Sequence, residues 1–296
     1  MHKRWRTLLL GFFLLQLVAP QHVHAGERRP SWKNCRWKSQ VQRKGLWLTR
    51  TYRKRLILAS TSKNKPRLSS QHRRINRKYG QLRSTLSQVR RCYKRQFQRA
   101  RSYRVRVRRL RNIERNLVAI LDNVTLPLWI GTTWDFYGTA TSPHQKSIAC
   151  GYFFVHALRS IGFRFPQNFL YRSKKKGPMR IYKFAKQSAT TMARILSKPS
   201  QRYVTSRKPI RTLMKPLKKF GPGLYILGLD SHVGLVLFNG KKAYFWHSNY
   251  AEPQAWVKRE NLFHSPVAID SNYRMLAKVH RSWIRKWLYR TPIRVP

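Results

Sequence analysis

The chain has 296 residues, of which 64 are Lys or Arg and 8 are Asp or Glu, so its formal charge is +56. This length suits one large domain, or one domain with an extension. A surface with so large a positive charge binds polyanions almost regardless of fold, because neutralising their phosphates or carboxylates releases counterions. Charge alone therefore predicts a polyanionic partner: nucleic acid, or, if the chain is exported, an anionic envelope polymer, lipopolysaccharide or extracellular DNA.

The first 25 residues have the pattern of a secretion signal. Basic residues between positions 2 and 6 precede an apolar run at 8–19, and a small-residue cleavage site at 23–25 follows. No later segment reaches the roughly 20 apolar residues that span a bilayer. The sequence therefore predicts an exported bacterial protein, periplasmic or extracellular, with no transmembrane segment after cleavage.

Three cysteines are an odd number for an exported chain, so pairing leaves one over. Cys35 and Cys92 both lie in the basic N-terminal third, whereas Cys150 lies beyond it. The simplest arrangement is a Cys35–Cys92 disulfide with Cys150 free.

Residues 26–115 are predicted to be a basic, Ser/Arg-rich region that contains a long amphipathic helix. From His72 onwards, apolar residues recur at alternating spacings of four and three, with arginines on the other faces. This pattern favours a solvated basic helix that packs one face on its neighbour; a membrane-surface or coiled-coil role is the alternative. The stripe consists of Ile75, Tyr79, Leu82, Leu86, Val89, Tyr93, Phe97 and Ala100.

Residues 116–296 are predicted to form the main domain. An aromatic loop precedes a helix in which Ser147 is expected as N-cap, Cys150 lies in the first turn, and Gly162 ends the helix. A second helix is expected over 181–197, a basic linker or insertion over 199–210, and a short helix over 213–220.

The pattern then changes to short β-rich runs, "GLYILGLD", "HVGLVLF" and "AYFWHS". Asn239-Gly240 joins the last two and is a strong hairpin signal. Segments near 255–257 and 273–279 extend the predicted sheet, and a basic helix near 283–289 follows.

Two segments contain no Lys or Arg, namely 116–145 and 220–240. In so cationic a chain, these gaps indicate segments that are buried or that are incompatible with a nearby cation.

The predicted elements bring a cysteine and two histidines together. In an antiparallel pair, the first residue of one strand lies near the last residue of the next. His232 and His247 are therefore expected to be neighbours at one end of the sheet, where both can face the helix of Cys150. A helix N-terminus and a nearby imidazolium favour thiolate and lower the pKa of a cysteine. His232 could then take the thiol proton, and the backbone N–H of Cys150 could help to form an oxyanion hole.

Each of these residues also has a plainer interpretation. A single cysteine on an apolar helix face is commonly a buried packing residue, and most strand histidines lie at the surface or in the core. Cys and two His can also bind zinc, but these residues lack the close paired spacing of common zinc motifs. We therefore predict no metal and no cofactor.

The segments "ACGYF", "LDSHVGLVLF" and "FWHS", with "WDFYG" upstream, resemble the NlpC-type bacterial cell-wall cysteine peptidases of the papain-like superfamily. The resemblance covers roughly 125–250. It implies Cys150 as nucleophile, His232 as general base and His247 as the third, orienting residue.

The chain departs from that family at several positions. Ala149 stands where the family has Asp, Gly151-Tyr152 stand where it usually has Ser-Gly, and the segment between Cys150 and His232 is longer and very basic. Trp134 stands where the family commonly has a Tyr that supports the oxyanion site, and Tyr137 is the alternative for that role. Asp230 is either a turn residue at the strand start or a partner of His232.

Together these features predict an α+β fold: a papain-like domain, with the nucleophile helix packed on an antiparallel sheet, and a basic helical N-terminal extension. The expected activity is hydrolysis of amide bonds through a thioester, and the resemblance implies peptidoglycan stem peptides as substrate. An acyltransferase is a close variant. The rival hypothesis is a non-catalytic cationic protein that binds anionic envelope polymers or extracellular nucleic acid on a papain-like scaffold.

Overall fold

A computed structural model describes residues 72–171, 178–251 and 253–295, together with Cys35, Trp37, Lys38 and Val41. The predicted signal peptide at 1–25 and most of the predicted region 26–71 lie outside the described residues. The described residues belong to one compact unit, Cys35–Pro296. Its fold is α+β, with a helical region and a six-stranded antiparallel sheet.

The longer helices and the strands are labelled in chain order. The helices are α1 (His72–Gln98), α2 (Tyr103–Ile120), α3 (Cys150–Ser160), α4 (Ala189–Leu196), α5 (Met214–Phe220), α6 (Pro266–Asp270) and α7 (Arg281–Tyr289). The strands are β1 (Asn168–Tyr171), β2 (Pro178–Ile181), β3 (Arg202–Ser206), β4 (Gly223–Gly228), β5 (Val233–Phe238), β6 (Ala243–Ser248), β7 (Val257–Asn261) and β8 (Tyr273–Lys278). Short π and 3₁₀ turns cover Leu121–Thr125 and Leu126–Trp129.

The large sheet has the strand order β3-β8-β4-β5-β6-β7, and every neighbouring pair is antiparallel. β1 and β2 form a separate antiparallel pair. The predicted hairpin joins β5 to β6, where Gly240 has φ +100° and Asn239 Oδ1 accepts the N–H groups of Lys241 and Lys242. Glycine suits this turn because it adopts positive φ without steric cost.

Both faces of the sheet are covered, which explains why its central strands are apolar at nearly every position. In β4, Leu224 and Ile226 pack in the larger hydrophobic cluster with α1–α4 and α7, whereas Tyr225 and Leu227 pack in a second cluster with α5 and α6. The alternation follows from the period of two along a strand.

The predicted apolar stripe of α1 is confirmed. All eight stripe residues are buried, although the helix ends at Gln98 and Ala100 lies in the turn after it. The other seven pack in the same hydrophobic cluster as α3. The helix is further held by Arg90, which donates to the carbonyl of Leu288 at the end of α7, at 3.0 Å.

The helix α2 is tied to the sheet by a buried acid. Glu114 is 3% exposed and lies 3.6 Å from both Lys278 Nζ on β8 and Arg281 Nε on α7. Burial raises the pKa of Glu114, and the two cations oppose that rise. Glu114 is the single acidic residue in the sequences of α1 and α2, so their exposed faces carry no compensating negative charge.

Two of the predicted elements are wrong in part. The helix expected over 181–197 begins at Ala189, because Ile181 ends β2 and the hydroxyl of Ser188 caps the helix by accepting the N–H of Thr191. The basic segment 199–210 contains β3, which pairs with β8 at the edge of the sheet. In this edge strand Val204 is exposed and Thr205 is buried, so the sequence lacked the usual alternation of apolar buried and polar exposed residues.

Within the part of the chain that the structure describes, no helix is both long enough and apolar enough to cross a membrane.

The buried histidine of α3 should make folding sensitive to acid. His156 is 1% exposed, and burial, followed by the charges of Arg159 and Arg83, lowers its pKa to about 3. Below about pH 6.5, His156 binds a proton in the unfolded chain but stays neutral in the folded chain. The free energy of unfolding therefore falls as the pH falls. For this one group, the loss between pH 7 and pH 5 is about 2 kcal/mol.

Urea unfolding at both pH values tests this expectation. His156→Phe should reduce the pH-dependent loss by that amount. Equal losses in the wild type and the variant would contradict the assignment.

Candidate active site

Cys150 is the first residue of α3, and the segment before it is extended rather than capped by a side chain. The N-cap is Ala149, which makes no side-chain hydrogen bond. The prediction of Ser147 as N-cap is wrong, because residues 147–149 pair with the loop before them: Ile148 N donates to Thr133 O, and Ala149 N donates to Gly138 O, both at 2.9 Å.

Strand β6 also holds this segment in place. The hydroxyl of Ser248 donates to Ile148 O at 2.7 Å. A Cβ at Gly138 would come within 2.5 Å of Ile148 N, so the loop approaches too closely for any other residue. The start of α3 is thus fixed by the sheet on one side and by the loop 131–140 on the other.

The thiol of Cys150 is free and partly buried. Burial raises its pKa, while the backbone N–H groups of Val233, Gly151 and Cys150 oppose the rise. The net direction is opposite to the lowering expected from a helix N-terminus, because desolvation of the thiolate outweighs the N–H dipoles. At rest, Cys150 is a neutral thiol beside the first residue of β5.

The two histidines are neighbours, as the strand order predicted. His232 Nε2 lies 2.9 Å from His247 Nδ1, and the residues are 4% and 0% exposed. The rings are nearly perpendicular, at 80°.

The expectation that both histidines face α3 is wrong for His247. Its ring stacks on Phe245 with 4.2 Å between centroids. Phe245 packs in the cluster with α5 and α6, whereas Trp246, between them, packs in the cluster with α3. The His232 ring also contacts Phe245, with 6.3 Å between centroids. His232 directly precedes Val233, whose backbone N–H lies at the thiol.

Gly234 makes room for this arrangement. A Cβ there would come within 2.8 Å of His247 Cβ and within 2.7 Å of Trp246 O. The glycine of the "HVG" segment is therefore required by the close approach of β6.

The sequence analysis missed Glu260, which extends the histidine pair. Glu260 Oε2 accepts from His247 Nε2 at 3.0 Å and from the Ser265 hydroxyl at 2.5 Å, while Lys258 Nζ lies 2.6 Å from Oε1. All three partners are buried. Because acids are scarce in this chain, Glu260 could have been noticed in the sequence. The strand was expected only near 255–257, however, so Glu260 could not be aligned with a residue of β6.

Electrostatics within this group favour a neutral base beside a charged acid. Burial lowers the pKa of His232 well below its usual value, and the charge of Glu260 opposes that shift. Burial alone would raise the pKa of Glu260, but the hydrogen bonds from His247 and Lys258, together with the charge of Lys258, hold it well below the usual range. His232 is therefore neutral at neutral pH and able to accept a proton.

A second acid supports the strands that carry this group. Asp122 binds Arg259 through both carboxylate oxygens, at 2.8 and 3.0 Å, and accepts from Trp246 Nε1 at 2.9 Å. Arg259 in turn lies 3.4 Å from the centroid of the Tyr244 ring. The turn after α2 is thereby joined to β6 and β7.

Trp134 and Tyr137, the candidates for oxyanion support, occupy different environments. Trp134 lies beside Ile148 and contacts Tyr250, whose ring centroid is 5.2 Å from that of His232. Its indole N–H is buried and has no acceptor among the described residues. Tyr137 is 74% exposed and its ring contacts Phe136.

Asp230 holds a loop rather than a histidine. It accepts the hydroxyl of Ser271 and the N–H groups of Asn272 and Tyr273 at 2.8–3.0 Å. Burial alone would raise its pKa, but these hydrogen bonds lower it. It thus connects the turn between β4 and β5 to the start of β8.

The structure also contains the Cys35–Cys92 disulfide, which joins the N-terminal segment to α1. Among the described residues, no group of three or more His, Cys, Asp or Glu side chains is arranged to hold a metal ion.

Comparisons of the chain with protein-family models, with curated proteins and with solved structures found no match.

Gly151 and Gly80 form a matched pair of tests for the position of α3. A Cβ at Gly151 would clash with the backbone carbonyl of Ala185, whereas a Cβ at Gly80, on the exposed face of α1, would meet no atom within 4 Å. We expect Gly151→Ala to lower the free energy of unfolding by about 1–3 kcal/mol, and Gly80→Ala to raise it by about 0.5–1 kcal/mol.

Chemical denaturation of both variants checks these signs. A neutral or stabilising Gly151→Ala would contradict the described contact between α3 and Ala185.

Proposed function

We propose that this protein is an exported papain-like cysteine hydrolase with a basic helical N-terminal extension. It would cleave amide bonds through a thioester on Cys150, with peptidoglycan stem peptides as the first substrate class. The observation that carries the proposal is the hydrogen-bonded series Glu260–His247–His232. His232 directly precedes Val233, whose backbone N–H reaches the Cys150 thiol.

The first step transfers one proton and forms one bond. His232 takes the proton of the Cys150 thiol as sulfur attacks the carbonyl carbon of the amide. A neutral thiol and a neutral imidazole suit this concerted transfer, because neither requires a charge to be buried before substrate binds. The chemistry therefore needs a general base rather than a pre-formed thiolate.

The oxyanion of the tetrahedral intermediate needs hydrogen-bond donors. The backbone N–H of Cys150 at the helix start supplies one. The indole N–H of Trp134, buried and without an acceptor among the described residues, supplies a second. Trp134 would thereby take the part that the resemblance gives to a tyrosine, while the exposed Tyr137 would not.

Collapse of the intermediate breaks the C–N bond, and the imidazolium of His232 returns its proton to the leaving amine. Water then attacks the thioester carbonyl carbon while His232 takes one of its protons. The C–S bond breaks, the acid is released, and the proton passes from His232 to the Cys150 sulfur. An amine in place of water would give acyl transfer with the same residues.

The charge of the surface suits an anionic substrate such as a cell wall. Five arginines of α2 are exposed, and no exposed acid accompanies them on α1 or α2: Arg104, Arg106, Arg108, Arg111 and Arg115. Such a surface would concentrate the enzyme on an anionic polymer.

The same surface, together with the raised pKa of Cys150, favours a second candidate function. A non-catalytic protein would bind an anionic envelope polymer, lipopolysaccharide or extracellular nucleic acid through the arginines of α1 and α2. Cys150 would then be a packing residue at the edge of the core.

Alkylation of Cys150 by iodoacetamide separates the two functions. If His232 is its base, His232→Gln should slow the reaction at pH 6–7 by at least about 10-fold. This is less than the roughly 100-fold or more that general-base catalysis typically contributes. The difference should disappear at high pH, where the thiol ionises unaided. Because the pKa of His232 is lowered, the wild-type advantage should persist below pH 6.5 rather than titrate away there.

The control variant is His264→Ala, which removes an exposed histidine. It should react like the wild type. Equal rates in the wild type and His232→Gln, with a simple thiolate profile, would favour the polymer-binding function.

A further inference from the structure

We propose that Glu260 is a positioning residue that sets the tautomers of both histidines, so that Nδ1 of His232 is the unprotonated nitrogen. This inference rests on the proposed function, because it assigns the nitrogen that would take the proton of Cys150.

The starting point is that Glu260 can only accept. An ionised carboxylate has no proton to donate. Its Oε2 faces His247 Nε2 and the Ser265 hydroxyl, and its Oε1 faces Lys258 Nζ, which also donates to Gln254 Oε1 at 2.5 Å. His247 must therefore carry a proton on Nε2.

The next step concerns the second nitrogen of His247. Lys258 already balances the charge of Glu260 at 2.6 Å, and His247 is 0% exposed. A second buried cation would be uncompensated and costly, so His247 is neutral. Its Nδ1 then holds a lone pair.

That lone pair fixes the tautomer of His232. His247 Nδ1 can only accept, so His232 Nε2, 2.9 Å away, must donate. His232 is neutral too, and its Nδ1 is left without a proton. A proton taken up there would form a buried imidazolium whose Nε2–H still donates to His247.

Glu260→Gln should reverse the donor and acceptor roles in the hydrogen bonds from residue 260 to His232 without removing those bonds. Lys258 requires an acceptor at the Oε1 position, so the glutamine would place its oxygen there and its NH₂ group opposite His247. His247 Nε2 must then accept, Nδ1 must donate, and His232 Nε2 must accept. The proton of His232 would move to Nδ1, so this nitrogen could no longer take the proton of Cys150 as the proposed function requires.

The double variant Lys258→Met/Glu260→Gln should undo the reversal. Methionine requires no acceptor, so the glutamine amide can turn its oxygen back toward His247. The hydroxyl of Ser265 can either donate or accept, so it tolerates both orientations.

The test uses the full chain labelled with ¹⁵N in its histidines. Imidazole ¹⁵N spectra identify the protonated nitrogen, and alkylation of Cys150 by iodoacetamide at pH 7 is measured on the same samples. We expect Nε2–H tautomers in the wild type, reversal with at least a 10-fold slower alkylation in Glu260→Gln, and recovery of both in the double variant.

The ¹⁵N spectra test the role of Glu260, whereas the alkylation rate tests His232 as the base of Cys150. Unchanged tautomers in Glu260→Gln, or an imidazolium at His247 in the wild type, would overturn the role of Glu260. A tautomer switch without any change in alkylation would support that role and would instead overturn His232 as the base of Cys150. A merely structural role for Glu260 predicts no recovery in the double variant.

Discussion

The register of three adjacent strands is the constraint on which the proposed site depends. The pairing of β5 with β6 brings His232 and His247 to the same end of the sheet, and the pairing of β6 with β7 places Lys258 opposite His247 and Glu260 opposite Phe245. A slip by one residue would move every side chain to the other face. The hydrogen bonds from His232 to Glu260 would then be lost together, so the site is a property of the sheet rather than of any single loop.

Charge is distributed so that the buried cations near the site each meet an acid. Lys258 lies against Glu260, and Arg259 is bound by Asp122. The segments without Lys or Arg, 116–145 and 220–240, supply the loop before Cys150 and the strands β4 and β5. An unpaired buried cation costs several kcal/mol, so a chain with 8 acids among 296 residues can build a buried site only where acids are placed or cations are absent.

The sequence predicted the strands and the histidine pair because their signals are local. Period-two apolar runs, Asn239-Gly240 and the order of the two histidines sufficed for the hairpin. Glu260 escaped because its importance depends on the pairing of a third strand and on Lys258, which no local pattern reveals. The direction of the Cys150 pKa was also misjudged, since the helix N-terminus is visible in the sequence whereas the burial of the thiol is not.

The most direct test of the account is the mass of the protein after acid quenching of a reaction with soluble peptidoglycan fragments. The account predicts an acyl adduct on Cys150 that is absent in Cys150→Ser and that hydrolyses on longer incubation. No adduct and no cleavage, with salt-sensitive binding of the fragments retained, would contradict a thioester mechanism and leave a polymer-binding protein.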